Sequence, residues 1–586
     1  MPPRDGADEV RSHNENPEQT AAFPDQISPM APMPPMPAAH EKPDLVIQDG
    51  NLPATACQLR DLFAEAGHLF DRDGPVKLVK PAGGGPMVAS PLSVNAVVAE
   101  AHKLCQPVQI SRGGKTCPKT LPDRVARMYL DMPGEWNLPP LAGISTAPLL
   151  GLDGSIHDYS GYHRDSELWC CKVPTLSGPQ LCSRDDAEAA LRQLRQTFKT
   201  FPFADSPLQY DPSLQVNVVN LDLPPGYDES AFLVGLLTAV CRPSLWLAPG
   251  LLVLAPQVSG AGSGKGLLVR AICLIAFDSQ PRAFTAGDEL DKRIAAELVE
   301  AAPALFLDNL NNTVLRSDTL ASVLTERPSR IRLLGVTRMM ALNSTAFIAV
   351  TGNGLGVSED LTRRFIHCGL DPRCEDPESR PFSPGFLKDI ERRRADLLSA
   401  ALTIWRFGRQ KSDALKRGRP LGSFEDWCES VRDPLLTLGC RDPVEQIEVS
   451  KARDPYRQYL AHLFSTWNRC HGTAAIKASD IDENVRQIID PHSRGRQFVT
   501  SKLEKSAGTR IGGLVLTRQQ PIGKWGTATY ALQPAGDRAD GTDHRGHRAH
   551  RGPMSPIPEG SSSQTASGTV NEEEESVARL PWREEV

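Results

Sequence analysis

Residues 251–277 read LLVLAPQVSGAGSGKGLLVRAICLIAF, and no other stretch narrows the choice of folds as much. Residues 251–254 are four consecutive apolar side chains, the pattern of a strand buried on both faces. Gly260, Gly262 and Gly264 then free the backbone, and an apolar helical pattern begins near Lys265. A strand, a glycine-rich loop and a helix N-terminus in that order gather backbone N–H groups and the positive end of the helix dipole around one point, which makes a seat for phosphate. The usual spacing is G-x-x-x-x-G-K-[ST]. Here Gly264 and Lys265 stand in place, while Ser259 occupies the first position and Gly266 the last. The expected phosphate-contacting set is therefore Ser259, Gly260, Ala261, Gly262, Ser263, Gly264, Lys265 and Gly266, with Lys265 reaching the β- and γ-phosphates.

That segment sits mid-chain in a sequence of 586 residues, 40% hydrophobic, long enough for several domains. The expected class is α/β and multidomain. Residues 1–42 and 535–586 are rich in Pro, Ser, Gly and charge, the latter including an EEEE run, and are expected to be disordered. Between them the chain divides into an N-terminal α/β region (43–135), a mixed α/β region (136–230), a P-loop α/β domain (231–384), a helical domain (385–477) and a small basic unit (478–534). In the N-terminal region HLFDRDGPVKLVK reads as a hairpin with a D-G turn, followed by a helix expected to start at Ser90. A further helix is expected over 184–197, capped by Ser183. The thirteen cysteines form no C-x-x-C pair, which excludes a zinc ribbon or a thioredoxin-type motif and fits reduced thiols in the cytoplasm. The most apolar stretch, 231–256, carries Arg242 and three prolines, so a buried helix and strand are expected there and no membrane span.

Three segments downstream of the loop supply candidate chemistry. AAPALFLDNLNN (301–312) is an apolar strand ending in Asp308, a carboxylate placed to hold Mg²⁺ beside a bound triphosphate. TAFIAVTGNGL (345–355) is a second apolar strand ending in Asn353, where a polar side chain can orient a water or touch a γ-phosphate. SEDLTRRF (358–365) is a short helix carrying Arg363 and Arg364. The Asp-Arg-Asp of residues 71–73 could be taken for a two-metal carboxylate pair, but Asp73-Gly74 is better explained as the hairpin turn, and no nucleotidyl-transfer site is expected.

In order and spacing, the run LFLDNLNNTVLRSDTLASVLTERPSRIRLLGVTRMMALNSTAFIAVTGNGLGVSEDLTRRFIHCGLDPRCEDPESRPF resembles the ATPase module of primase-helicase proteins carried by phages, plasmids and integrated elements of bacteria. The resemblance covers about 231–385, with a weaker likeness upstream at APLLGLDGSIHDYSGYHRDSELW. It implies an AAA+-like fold close to the superfamily 3 helicases, and a ring-forming, ATP- and Mg²⁺-dependent motor on DNA. It further implies Asp308 as the metal-side carboxylate, Asn353 as the sensor and Arg363 or Arg364 as an arginine finger acting on the neighbouring subunit. Three departures stand out: Ser259 for the first glycine, Gly266 for the metal-binding hydroxyl, and Asn309 after Asp308 where the family has a glutamate general base. An amide cannot take a proton from water. Glu289 and Glu326 are the nearest acidic substitutes along the chain.

The net charge of −6 means that any nucleic-acid surface must be local. PSRIRLLGVTRMMALN (328–343) reads as a hairpin with Arg332 on one arm and Arg338 near its tip, a position from which related helicases reach single-stranded DNA. Between His492 and Tyr530, seven basic residues, among them Arg494, Arg496, Lys502, Lys505 and Arg510, face Glu504 alone, and the helix-helix-strand-strand pattern fits a winged helix. The expectation is a DNA-replication ATPase, helicase-like and homo-oligomeric, working on single-stranded or forked DNA with a separate primase or polymerase. The alternative is an initiator or scaffold that binds ATP as a switch and hydrolyses little of it.

Overall fold

The computed structural model describes residues 42–81, 85–111, 113–257, 260–285, 287, 289–332, 339–375, 377–379, 385–447, 455–519 and 527–535. The tails expected to be disordered, apart from Lys42 and Ala535, lie outside these residues, as do Ser259 and Arg338. The chain forms two compact units, one up to Ser465 and one from Thr466. No described helix is long and apolar enough to cross a membrane.

The first unit is built around one sheet. Helix α1 (Tyr227–Cys241) leads to strand β1 (Gly250–Ala255), the glycine loop and helix α2 (Lys265–Phe277). Then come β2 (Ala283–Phe284), α3 (Leu290–Val299), β3 (Ala304–Leu307) and α4 (Asp318–Thr325). A hairpin of β4 (Ser329–Arg332) and β5 (Met339–Leu342) follows, then β6 (Phe347–Asn353), the short helix α5 (Glu359–Thr362) and β7 (Phe365–Gly369). Five of these strands form a parallel sheet in the order β2-β3-β6-β1-β7.

Parallel strands need both faces covered, so their sequences are apolar throughout and successive side chains enter different cores. Leu251 and Val253 of β1, Phe306 of β3 and Phe347 and Ala349 of β6 enter one core, shared with α1, α2 and the helices Arg184–Phe198 and Arg394–Gln410. Leu252, Leu305, Leu307, Ile348 and Val350 enter the other, shared with α3 and α4. The first core gathers buried residues between Cys182 and Ile447, so parts of the 136–230 region, the P-loop domain and the helical domain pack in one cluster.

The N-terminal hairpin forms as expected, Leu69–Asp71 against Pro75–Val79, with Asp73 at a φ of 53° in its turn. The helix after it does not start at Ser90. Residues Val88–Pro91 are a strand paired with Pro75–Val79, and the helix is Val94–Leu104, with Ser93 accepting from the Ala96 N–H at 3.2 Å. The cross-strand partner, not the local Ser-Pro pair, decides where that helix begins. Helix Arg184–Phe198 carries a complete capping box between Ser183 and Asp186.

In the second unit, helices Glu483–Ile489 and Arg496–Ser506 accompany a four-stranded antiparallel sheet. Its two longer strands, Leu514–Gln519 and Thr529–Pro534, match the expected pair. The flanking Ile476–Lys477 and Arg510–Ile511 are two residues each, too short to leave a periodic signal.

Candidate nucleotide site

Strands β1, β3 and β6 are hydrogen-bonded neighbours running the same way, so their C-terminal ends open on one edge, where ligands sit in open parallel sheets. The register decides what meets there. Leu307 pairs with Val350 and Ala255 with Asn353. One residue beyond Leu307, Asp308 faces Thr351, whose Oγ1 donates to Asp308 Oδ1 at 2.6 Å and accepts from the Asn309 N–H at 3.0 Å. Thr351 is fully buried. The sequence places it at the end of the strand but assigns it no role, its signal being a lone hydroxyl within the apolar run FIAVTGN.

The loop closes over this edge. Gly262 and Gly264 hold φ of 70° and 91°, left-handed values that suit glycine. Gly264 is the N-cap of α2 and offers no side chain to the first-turn N–H groups, which leaves them for a ligand. Lys265 folds back over the loop: its Nζ donates to the Gly260 carbonyl at 2.7 Å and to Ser263 Oγ at 3.1 Å. Ser263 Oγ itself donates to the Gly260 carbonyl at 2.9 Å. Burial pushes the Lys265 ammonium below its ordinary pKa, and the Asp308 charge opposes that shift.

Asn353 reaches the loop from β6. Its N–H donates to Asn311 Oδ1 at 2.8 Å, while its own Oδ1 is buried with no hydrogen-bond partner among the described residues. That oxygen lies 2.6 Å from where a Cβ on Gly260 would stand. The turn Pro377–Ser379 brings Glu378 against the loop, its Cγ 2.6 Å from an ideal Cβ on Gly262. Ala261 is exposed. A cavity of about 830 Å³ at the end of β1 is lined by Pro256, Gly354, Asp228, Asp371 and Glu445, among others.

Gly266 and Asp308 are the positions at which a hydroxyl–carboxylate pair would hold magnesium. The residues present do not fit that pair. An ideal Cβ on Gly266 would stand 3.4 Å from both Asp308 oxygens but only 2.6 Å from Arg270 Nη1. Arg270 donates through Nη2 to Asp308 Oδ2 at 3.3 Å, and its guanidinium lies over the Phe306 ring, 5.3 Å from the centroid. Both Asp308 oxygens are thus engaged, and a guanidinium fills the space of the missing hydroxyl.

Asn309 is exposed, with a φ of 63°. Asparagine tolerates the left-handed region better than glutamate does, so the backbone itself favours the amide at this point. Its Oδ1 accepts from Asn311 Nδ2 at 2.7 Å. Glu289 is paired with Lys292 at 2.8 Å, which holds its carboxyl below the ordinary value, and Glu326 accepts from Ser322 Oγ at 2.6 Å. No described contact brings either of them to Asp308 or Lys265.

The two arginines after α5 differ. Arg364 donates to Thr325 Oγ1 at 2.7 Å, to the Ala321 carbonyl and to Asp360 Oδ1 at 2.9 Å, which ties it to α4. Arg363 is exposed, with Asp360 Oδ1 at 2.8 Å. Both line a cavity of about 370 Å³ together with Arg419. Arg332 is exposed on β4, whose antiparallel pairing with β5 forms the arms of the expected hairpin. In the second unit, Arg494 and Lys502 flank one aromatic ring, 5.0 Å and 5.5 Å from the Phe498 centroid, and Arg496, Lys505 and Arg510 are exposed.

No protein-family model matches the chain, and no curated protein does. Among solved structures it is similar to the apo A form of the NrS-1 C-terminal region (305–718), at 11% identity and a TM-score of 0.32, over 78% of this chain and 96% of that one. It is also similar to the active helicase Cch of SCCmec type IV, at 10% identity and a TM-score of 0.29, over 80% and 98%. Likeness at that level carries no argument about function, which rests on the site.

Proposed function

We propose that this chain binds ATP at the loop 259–266 and spends its hydrolysis on DNA. It would act as a cytoplasmic, ring-forming, helicase-like ATPase in the replication of a bacterial mobile element or phage, with a separate primase or polymerase. The supporting observation is convergence: Lys265 at the start of α2, Asp308 at the end of β3 and Asn353 at the end of β6, whose Oδ1 has no partner among the described residues, gather around one glycine-rich loop. Phosphates would take the first-turn N–H groups and draw Lys265 off the Gly260 carbonyl. Magnesium enters this reading as the companion of the triphosphate, and its use of Asp308 would require Arg270 to give way. Arg363, being exposed, is the finger of the pair, and Arg364 holds the helix that carries it. DNA contacts fall to Arg332, Arg338 and the basic helix around Phe498.

One observation favours a second reading, ATP as a switch: Asn309 occupies the general-base position in a backbone conformation that suits it. ATP turnover by the purified chain, titrated with single-stranded DNA and compared with Lys265→Ala, decides between them. DNA-stimulated turnover abolished by the substitution supports the motor. Binding that Lys265→Ala abolishes, without turnover, supports the switch. A folded chain that binds no nucleotide overturns both.

A further inference from the structure

Gly266 and Arg270 lie one helical turn apart on α2, so they share a face, and the Arg270 side chain leans back toward the helix N-terminus as helical side chains do. Glycine at 266 leaves room for the guanidinium where it now lies, whereas a Cβ there would stand 2.6 Å from Nη1 and the end of the side chain would have to shift. The guanidinium thus lies where a hydroxyl-bearing side chain at 266 would begin. The guanidinium rests on Phe306 of β3 and reaches Asp308 Oδ2. Among the described residues Asp308 is its one polar partner and takes a single Nη2 hydrogen bond. A guanidinium has five donors in a planar fork suited to phosphate oxygens, and it keeps its charge at any working pH.

We infer that Arg270 is a phosphate-binding residue of this loop, and that its guanidinium supplies beside Asp308 the positive charge that a hydroxyl–carboxylate pair would otherwise draw from a divalent cation. The site then takes up nucleotide with little dependence on magnesium. This inference rests on the nucleotide reading above and adds to it where the charge comes from. It also explains why a glycine ends the motif in place of Ser or Thr: the hydroxyl is lost together with the ion it would have held.

The test is equilibrium binding of a fluorescent ATP analogue to the full chain, in excess magnesium and in EDTA. For the unmodified chain, affinities within about threefold of each other are expected, because the fixed guanidinium remains when the ion is removed. Arg270→Ala should weaken binding in EDTA by about tenfold or more, the value of one charge-assisted contact, and magnesium should restore much of it. The double variant Gly266→Ser, Arg270→Ala, with a hydroxyl and room for it, should show the strongest magnesium dependence of the series. Binding by the unmodified chain that collapses in EDTA, with Arg270→Ala equal to it in both buffers, overturns the inference and leaves the nucleotide reading standing. Absence of binding in both buffers by a chain that unfolds cooperatively overturns the two together. The comparison of buffers needs no variant, so a poorly folding substitution does not remove the test.

Discussion

At the scale of single residues, Thr351 is the group on which the sheet edge depends. It satisfies Asp308 Oδ1 and the Asn309 N–H at once from a fully buried position. Thr351→Val keeps the shape and removes both bonds, which should cost about 1–3 kcal/mol, read as a lower denaturant midpoint at unchanged slope. Asp228 gives a prediction in pH. Burial lifts its carboxyl to about 6, with the Gly369 N–H opposing and the Asp205 charge adding to the rise. A folded pKa above the unfolded one means that the folded chain holds the extra proton, so stability is greatest below the unfolded value and falls as pH rises through about 6. Asp228→Asn should raise the melting temperature near pH 8, by on the order of 2–3 kcal/mol of stability, with the gap closing toward pH 4. The loop and Asp308 were legible in the sequence because each is announced by its immediate neighbours. Thr351 and Arg270 were not. The first acquires its role from a register between strands some forty residues apart, and the second from a side chain that is absent at Gly266.

At the scale of elements, the pair after α5 separates anchoring from reach. Arg364 ties that turn to α4 through Thr325 and Ala321 and has little exposure, whereas Arg363 is largely in solvent. Arg364→Ala should destabilise the chain by about 1–3 kcal/mol, as expected when buried acceptors lose a charged donor. Arg363→Ala should leave stability within about 0.5 kcal/mol and lower turnover where the neighbouring subunit supplies the finger. Mixing Arg363→Ala with Lys265→Ala protein and measuring turnover checks the second point, since a ring recovers activity at interfaces that keep both residues. Elements of high apolar content, such as β1, β3 and β6, could be read from the chain. The strand at Val88–Pro91 could not, because its only justification is a partner in Pro75–Val79.

At the scale of the whole molecule, the chain is net acidic while its second unit carries a concentrated basic stretch. If that stretch tracks a nucleic-acid backbone, affinity must fall steeply with salt. Replacing Arg494 and Lys502 together by Ala should reduce the slope of log affinity against log salt by roughly 1.4 on single-stranded DNA, about 0.7 per lost phosphate contact. An unchanged slope would locate the DNA elsewhere. The α/β class was readable from the alternation of apolar runs and helices. That one core would join Cys182 to Ile447 was not, because a covered helix face looks the same in sequence whichever neighbour covers it.

Arg72, in the turn of the N-terminal hairpin, has a consequence in time. Its buried guanidinium donates to the carbonyls of Leu141, Ala142, Leu298 and Val299, the last two at the end of α3 and more than two hundred residues away in the chain. During synthesis the hairpin leaves the ribosome long before the last two acceptors exist. Leu141 and Ala142 follow within 70 residues, but the bonds to Leu298 and Val299 must wait until α3 emerges. The last two of the four Arg72 bonds therefore form only after a further 226 residues have been made.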